Sequence, residues 1–334
     1  MGDPPQTADA PPSLWGRVAG HVWTVGPKLA RRLRPRRPPP SRSWSIVVPD
    51  PRMGSVRLTG LLSEGQHERA SDTLVVVVHG IGGRPASDYC VNAAWAVARR
   101  GLDCLRLALR GADRQGEDFY HAGLVEDLLS ALGDPALASY RRVLLVGYSL
   151  GGTICLAAAA RRLEPRIRAV AAICTPVDLR AGQQAIDQPA RWVYRQYILR
   201  NLTQIYRAVA RRRPEAVPTP LARVERAATL REWDSLTVVP RFGFADVEDY
   251  YARASVGSRL SRMELPALLV VGGQDPLVPP ATILRHARQA SHAVETRTIH
   301  AGGHVYFPSD LDLGQVAPRG LDGQVMAWLD GRGR

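Results

Sequence analysis

The stretch from residue 142 to 163, RVLLVGYSLGGTICLAAAARRL, constrains this 334-residue chain more than any other. It opens on an apolar run, Arg142–Gly147, rich in Val and Leu. A run this short, bounded by glycine, reads as a strand buried on both faces. Thr153–Leu163 is Ala-rich and reads as a helix. Between them stands Gly147-Tyr148-Ser149-Leu150-Gly151-Gly152. Gly147 and Gly151 remove side chains that would collide where the backbone turns from strand to helix, and Gly152 eases passage of the helix. Such a turn holds Ser149 in a strained conformation with its hydroxyl exposed. The helix start also presents backbone N–H groups to any negative charge that develops there.

The rest of the chain repeats that alternation. Strands are predicted at 43–50, 55–63, Thr73–Val78, Cys104–Leu109, Ile167–Cys174, Pro266–Val271 and 294–299. Helices are predicted at Tyr89–Arg100, Gly123–Leu132, Ala281–Ala290 and near Val325–Leu329. Strands separated by helical lengths give an α/β protein with a mostly parallel sheet flanked by helices. Residues 180–262 break the rhythm. They are helical in pattern, rich in Arg, Tyr and Trp, and interrupted by Pro214, Pro218 and Pro220. The segment is too long for a crossover loop. It reads as a helical cap over the carboxyl edge of the sheet, where open α/β sheets bind ligands. The expected organisation is a flexible basic Pro/Arg-rich leader (1–42), a core (43–179 and 263–334) and the cap (180–262).

Charge bears on location rather than fold. The chain carries 44 Lys+Arg against 31 Asp+Glu, a net +13, and Lys28 is its only lysine. Residues 1–45 hold eight basic and two acidic residues, a net +6. Residues 180–231 hold eleven arginines and three acids, a net +8. The remainder sums to −1, so the body is neutral. A nucleic-acid partner is not expected, because no zinc-finger spacing, RRM sequence or basic zipper organises the charge. The leader lacks an apolar stretch long enough to span a membrane and fits a signal peptide poorly. Peripheral contact with an anionic membrane surface is the partner these segments suggest. Four cysteines without a C-x-x-C pair argue against a disulfide scaffold or thiolate zinc site and for a reduced, cytoplasmic setting.

A serine hydroxyl needs a histidine base, and the histidine needs a carboxylate to fix its tautomer. His304, in HAGGHVYFP, follows the last apolar strand, and Gly302 and Gly303 let its loop return over the sheet edge. His300, which ends that strand, is the competitor. Asp275, in VVGGQDP, leaves the end of the preceding strand. Asp178, Asp246 and Asp249 are its rivals. An oxyanion needs donors. The backbone N–H of Leu150 is one, and the loop His79–Gly83 (HGIGG) supplies the other, assigned to Ile81. His79 reads as a structural residue of that loop. The loop is no nucleotide cradle, since neither G-K-[ST] nor G-x-G-x-x-G is present.

These motifs are joined by others in fixed order: Tyr89 after HGIGG, Arg110-Gly111, FYHAGLVEDLL with Tyr120, His121, Gly123 and Asp127, TPVDL at Thr175–Leu179, and VEDYYARAS at Val247–Ser255. Together they resemble the YheT-like branch of the α/β-hydrolases, which includes the plant EMB8-like proteins and animal lipases. The resemblance covers roughly Ser43 to Asp330. It implies an α/β-hydrolase fold and activity on esters of short to long acyl chains, including glycerolipids. The chain departs from the branch at Gly83-Arg84-Pro85, at Tyr148 before the serine and at Leu277 after Asp275-Pro276. None of these removes a catalytic atom.

The sequence therefore predicts a serine esterase. Ser149 attacks an ester with an apolar acyl group, His304 transfers the proton, Asp275 orients His304, and Ile81 and Leu150 hold the oxyanion. No metal or organic cofactor is required. Gly80, Tyr148, Arg84, Trp192 and Tyr197 are expected around the pocket, with Tyr194, Tyr206 and Trp233 as further aromatic surface or cap core. The alternatives are a lipase, phospholipase or acyltransferase acting on glycerolipids or thioesters, and a non-enzymatic binding protein on the same scaffold.

Overall fold

Strand residues of this chain send alternate side chains to opposite faces, and both faces are apolar. Leu74, Val76 and Val78 pack into one buried cluster while Val75 and Val77 pack into another. Val143 and Leu145 separate from Leu144, Val146 and Tyr148 in the same way. Period-two alternation with two covered faces is what a central parallel sheet requires. The computed structural model describes residues 14–33, 36–65 and 71–332. Its strands are β1 (Arg42–Asp50), β2 (Gly54–Ser63), β3 (Thr73–Val78), β4 (Asp103–Leu107), β5 (Arg142–Tyr148), β6 (Ile167–Ile173), β7 (Ala267–Gly272) and β8 (Val294–Ile299). They form one sheet in the order β1-β2-β4-β3-β5-β6-β7-β8. The β1–β2 and β2–β4 pairs are antiparallel and the other five are parallel.

That order positions the site. After β3 the chain places β4 on one side and β5 on the other, so the loops leaving β3 and β5 diverge over a crevice. Because β3, β5, β7 and β8 are parallel, the loops that follow them open on one edge of the sheet.

The helices are α1 (Leu14–Leu33), α2 (Asp88–Arg99), α3 (Val125–Leu132), α4 (Leu150–Arg161), α5 (Leu179–Ile186), α6 (Trp192–Arg212), α7 (Leu221–Val224), α8 (Leu230–Leu236), α9 (Val238–Phe242), α10 (Val247–Ala254), α11 (Pro280–Ala287) and α12 (Leu321–Arg332). Helices α2 and α12 cover one face, α3 and α4 the other. Between β6 and β7 run only helices, α5 to α10, as the interrupted rhythm of 180–262 predicts.

A buried ionic cluster ties this inserted segment to the core. Arg110, after β4, donates to both oxygens of Asp127 on α3 (2.5 and 2.9 Å), to Asp50 at the end of β1 (2.6 Å) and to Asp118 (3.0 Å). Arg241 of α9 reaches the same Asp50 (2.9 Å) and Asp118 (2.6 Å). Burial pushes the Asp50 carboxyl upward, but the Met53 N–H, Arg110, the Arg52 N–H and Arg241 outweigh it and hold the group at about 2. Tyr250 of α10 accepts from the Ala122 N–H (3.1 Å), and Ser255 accepts from the Leu179 N–H (2.9 Å). The Arg110, Asp127 and Tyr250 motif positions thus join cap to core.

Residues 1–13 lie outside the described residues, but Leu14–Leu33 is helix rather than flexible chain. Gly16, Gly20 and Thr24, spaced four apart, form its buried face. A Cβ on Gly20 would meet the carbonyl oxygen of Gln274 at 2.0 Å. The small stripe lets α1 lie directly on the loop after β7. The charges and prolines around it obscured this spacing.

Candidate active site

Three sheet loops and α1 build the site. The turn from β5 to α4 carries Ser149 at φ 52° and ψ −124°, a left-handed backbone that side chains rarely adopt. The glycines around it are forced by contact. A Cβ on Gly147 would lie 2.4 Å from the Gly152 Cα, and one on Gly152 would lie 1.9 Å from Thr175 Oγ1. Ser149 is nevertheless buried. Its hydroxyl faces cavities beneath α6 rather than open solvent.

Asp275 follows β7 and is buried. Its Oδ1 accepts from the backbone N–H groups of Leu277 (2.8 Å) and Val278 (3.1 Å). Its Oδ2 lies 2.8 Å from His304 Nδ1. A carboxylate can only accept, so Nδ1 carries the proton in that bond and Nε2 is left as the basic nitrogen. The backbone N–H of His304 donates to Thr24 Oγ1 (2.9 Å), and Thr24 donates to Gly20 O (2.7 Å). The sequence reading did not select Thr24, although the spacing of Gly16, Gly20 and Thr24 marks the face that carries it.

The competitors are engaged elsewhere. Asp178 caps α5, accepting from the Ala181 N–H (2.9 Å), and pairs with Arg285. Asp246 caps α10, and Asp249 binds the Ala245 N–H and Arg253. His300 is exposed after β8. His79 is buried, with Nε2 accepting from the Leu109 N–H (3.1 Å) and Nδ1 donating to Gly80 O (2.8 Å). Burial holds its pKa down at about 4, which suits a neutral structural residue.

The loop after β3 is held by two tyrosines. Tyr89 accepts from the Gly80 N–H (3.2 Å), and Tyr120 accepts from the Gly82 N–H (2.6 Å). The Gly83 N–H turns back to Gly80 O (3.0 Å). Across the site, the Ser149 and Gly152 N–H groups bond Ile173 O (2.8 Å) and Ser149 O (2.9 Å). The N–H groups on either side of Ile81, and that of Ser149 just before Leu150, are therefore engaged. A Cβ on Gly80 would press on the Ser149 Cβ at 2.9 Å, so this loop passes directly beside the serine.

Two cavities meet at Ser149. The outer, of about 250 Å³, is bounded by Gly80, Ile81, Ser149 and His304, by Thr24 and Val25 of α1, and by Val193, Tyr194 and Tyr197 of α6. The inner, of about 60 Å³, lies under the cap between Ser149, Leu150, Ile198, Leu230 and Tyr251. Asp234 also borders it. Burial raises its carboxyl to about 7, a push that the hydrogen bond from Tyr251 (2.8 Å) opposes and Asp187 adds to.

Gly80 and Tyr197 line the outer cavity, and three other residues expected around the pocket do not. Tyr148 points to the opposite face of the sheet, where its hydroxyl donates to Asp322 (2.8 Å). Trp192 is 57% exposed, outside the cavity walls. Arg84 borders a neighbouring polar cavity with Arg114 and Asn201. Tyr206 and Trp233 are buried in the cap.

One group of possible metal ligands occurs among the described residues, Cys174 with Asp275 and His304, their ligand atoms within 4.8 Å. Burial, with Asp275 beside it, pushes the Cys174 thiol well above its ordinary range. A protonated thiol is a poor ligand, and His304 Nδ1 and Asp275 Oδ2 already satisfy each other. The donor set fits a hydrogen-bonded pair backed by a thiol better than a metal centre.

Residues 73–310 match the family model of the alpha/beta hydrolase fold. "Putative esterase YheT" of Escherichia coli is 27% identical over 304 residues, covering 86% of this chain and 84% of that protein. "Monoacylglycerol lipase ABHD2" of Danio rerio is 25% identical, covering 90% and 74%. Among solved structures, Est1E from Butyrivibrio proteoclasticus superposes with a TM-score of 0.51 at 18% identity, covering 78% of this chain and 90% of that one. With the eight-stranded sheet and its edge loops described, the match over most of the chain places this protein in the α/β-hydrolase family.

Proposed function

We propose that this protein is a serine hydrolase that cleaves carboxylic esters through an acyl-enzyme. The observation that carries the reading is the bond of 2.8 Å between buried Asp275 and His304, in a cavity whose wall also holds Ser149. His304 Nε2 takes the Ser149 proton as Oγ bonds to the ester carbonyl carbon. The carbonyl becomes an oxyanion, stabilised by the N–H groups of Ile81 and Leu150. The bond from carbon to the alcohol oxygen then breaks, and His304 returns the proton to the leaving alcohol. Water, deprotonated by His304, releases the acid and restores Ser149. Asp275 fixes the His304 tautomer and stabilises its charged form.

The apolar walls favour an apolar acyl group. The inner cavity accommodates a short chain, and the outer one a longer tail or the alcohol portion. The names of the relatives, an esterase and a monoacylglycerol lipase, support an ester of this kind. The test is hydrolysis of p-nitrophenyl and glycerol esters of graded length by wild type and Ser149→Ala. Wild type is expected to turn over at least one ester series, and the variant to lose roughly 10³-fold or more in kcat. Equal rates for both, or no turnover of any ester by wild type, contradict the reading. A competing alcohol in the same assay separates transfer to water from transfer to another acceptor.

A further inference from the structure

Helix α1 has a second face. Trp15, Val18, Val22 and Val25, spaced three, four and three residues apart, form one stripe along it. All four are exposed, Trp15 at 80% and Val22 at 63%. The start of α6 continues the surface with Trp192 (57%), Val193 (66%) and Tyr197. The two helices are joined where His21 Nδ1 meets the Tyr194 hydroxyl (2.7 Å) with the rings stacked 5.5 Å apart. Val25, Val193 and Tyr197 belong to both this surface and the wall of the outer cavity. Large apolar side chains in open solvent around a cavity mouth mark an interaction surface.

We propose that this surface, the outer face of α1 with the start of α6, docks on an anionic lipid bilayer, so that the cavity holding Ser149 opens onto the membrane. Three observations favour a bilayer over a second copy of this chain. The stripe lies on segments that carry the surplus charge of the molecule, +6 over residues 1–45 and +8 over residues 180–231. Two copies would bring like charges together, whereas an anionic leaflet attracts basic residues near its surface. No helix among the described residues is long and apolar enough to cross a membrane, so α1 is suited to lie on one. And a second copy seated here would close the cavity mouth, while a bilayer would face it with apolar esters.

The inner face of α1 holds the His304 loop through Thr24, so docking its outer face couples the membrane to the catalytic wall. The proposal concerns binding, and its readout is separate from hydrolysis. The experiment is sedimentation of the full chain with vesicles of phosphatidylcholine alone or mixed with phosphatidylglycerol, at low and high salt. The variant is Trp15→Ser/Val18→Ser/Val22→Ser, which leaves the cavity wall untouched, with Trp15→Ser alone as a milder second variant. Thermal unfolding establishes that each is folded. Wild type is expected to bind the anionic vesicles about tenfold or more tightly than the neutral ones, with the advantage lost at high salt. The triple variant is expected to lose about tenfold or more, and the single variant part of that. Equal binding to both vesicles, no binding, or a folded variant that binds as wild type does overturns the proposal. Self-association of wild type that the triple variant disperses, without vesicle binding, overturns it in favour of a second copy.

Discussion

Asp275, Asp178, Asp246 and Asp249 show how a carboxylate's neighbours decide its work. Asp178 and Asp246 each accept the N–H three residues on and cap a helix, while Asp275 binds two N–H groups with one oxygen and His304 with the other. Replacing Asp275 with Asn keeps an acceptor for those N–H groups but presents the wrong partner to His304 Nδ1. We expect Asp275→Asn to lower kcat by roughly 10³- to 10⁴-fold, with an unchanged circular dichroism spectrum; a loss under tenfold would remove Asp275 from the mechanism. At this scale the sequence was readable where backbone geometry demands a residue type, as at Gly147 and Gly152. It was misleading where nearness in sequence stood for nearness in space. Tyr148 adjoins Ser149, yet strand alternation sends its side chain through the sheet to Asp322.

At the scale of elements, the strands and crossover helices were legible because each is buried along a regular period. The inserted helices were legible only as a segment, since their partners lie far away in sequence. Arg241 of α9 is the clearest case, buried between Asp50 and Asp118, 191 and 123 residues distant. Its removal leaves Arg110 as the one guanidinium bonded to those carboxylates among the described residues. Arg241→Met is expected to cost about 3–5 kcal/mol, read as a lower midpoint in denaturant unfolding. An unchanged midpoint would show that the cluster does not secure the cap. Helix α1 is less legible, because prolines and arginines surround the four-residue spacing of its Gly16, Gly20, Thr24 face. Gly20→Leu cannot be seated without moving α1 off Gln274. We expect it to lower kcat/KM by about tenfold or more while leaving most of the thermal stability, because the loop bearing His304 loses a support and the core does not. Wild-type kcat/KM in that variant would make α1 a bystander.

For the whole molecule, buried titratable groups set opposing pH dependences. His79 and His121 are held by burial at about 4 and about 3, with Arg110, Arg241 and Arg253 adding to the effect at His121. The unfolded chain binds these protons more readily, so stability falls as pH drops from about 6.5 toward those values. Asp234 acts the other way. Its carboxyl is raised to about 7, so its contribution is present below the ordinary carboxylate range and is lost as pH rises through about 7. Asp234→Asn is therefore expected to gain on the order of 2–4 kcal/mol over wild type above about pH 7 and little below about pH 4, by denaturant unfolding at both. An equal change at both would mean that Asp234 does not titrate with folding. The net charge, by contrast, says little about the fold. It is concentrated in residues 1–45 and 180–231, while the rest of the sequence is nearly neutral.

The central claim, that Ser149 is a nucleophile activated by His304 and Asp275, is tested most directly by labelling the full chain with a fluorophosphonate and mapping the adduct by mass spectrometry. One phosphonyl group per chain is expected, on Ser149, absent in Ser149→Ala and strongly slowed in His304→Ala. A chain that stays unlabelled, or that carries the adduct on another residue, would contradict it.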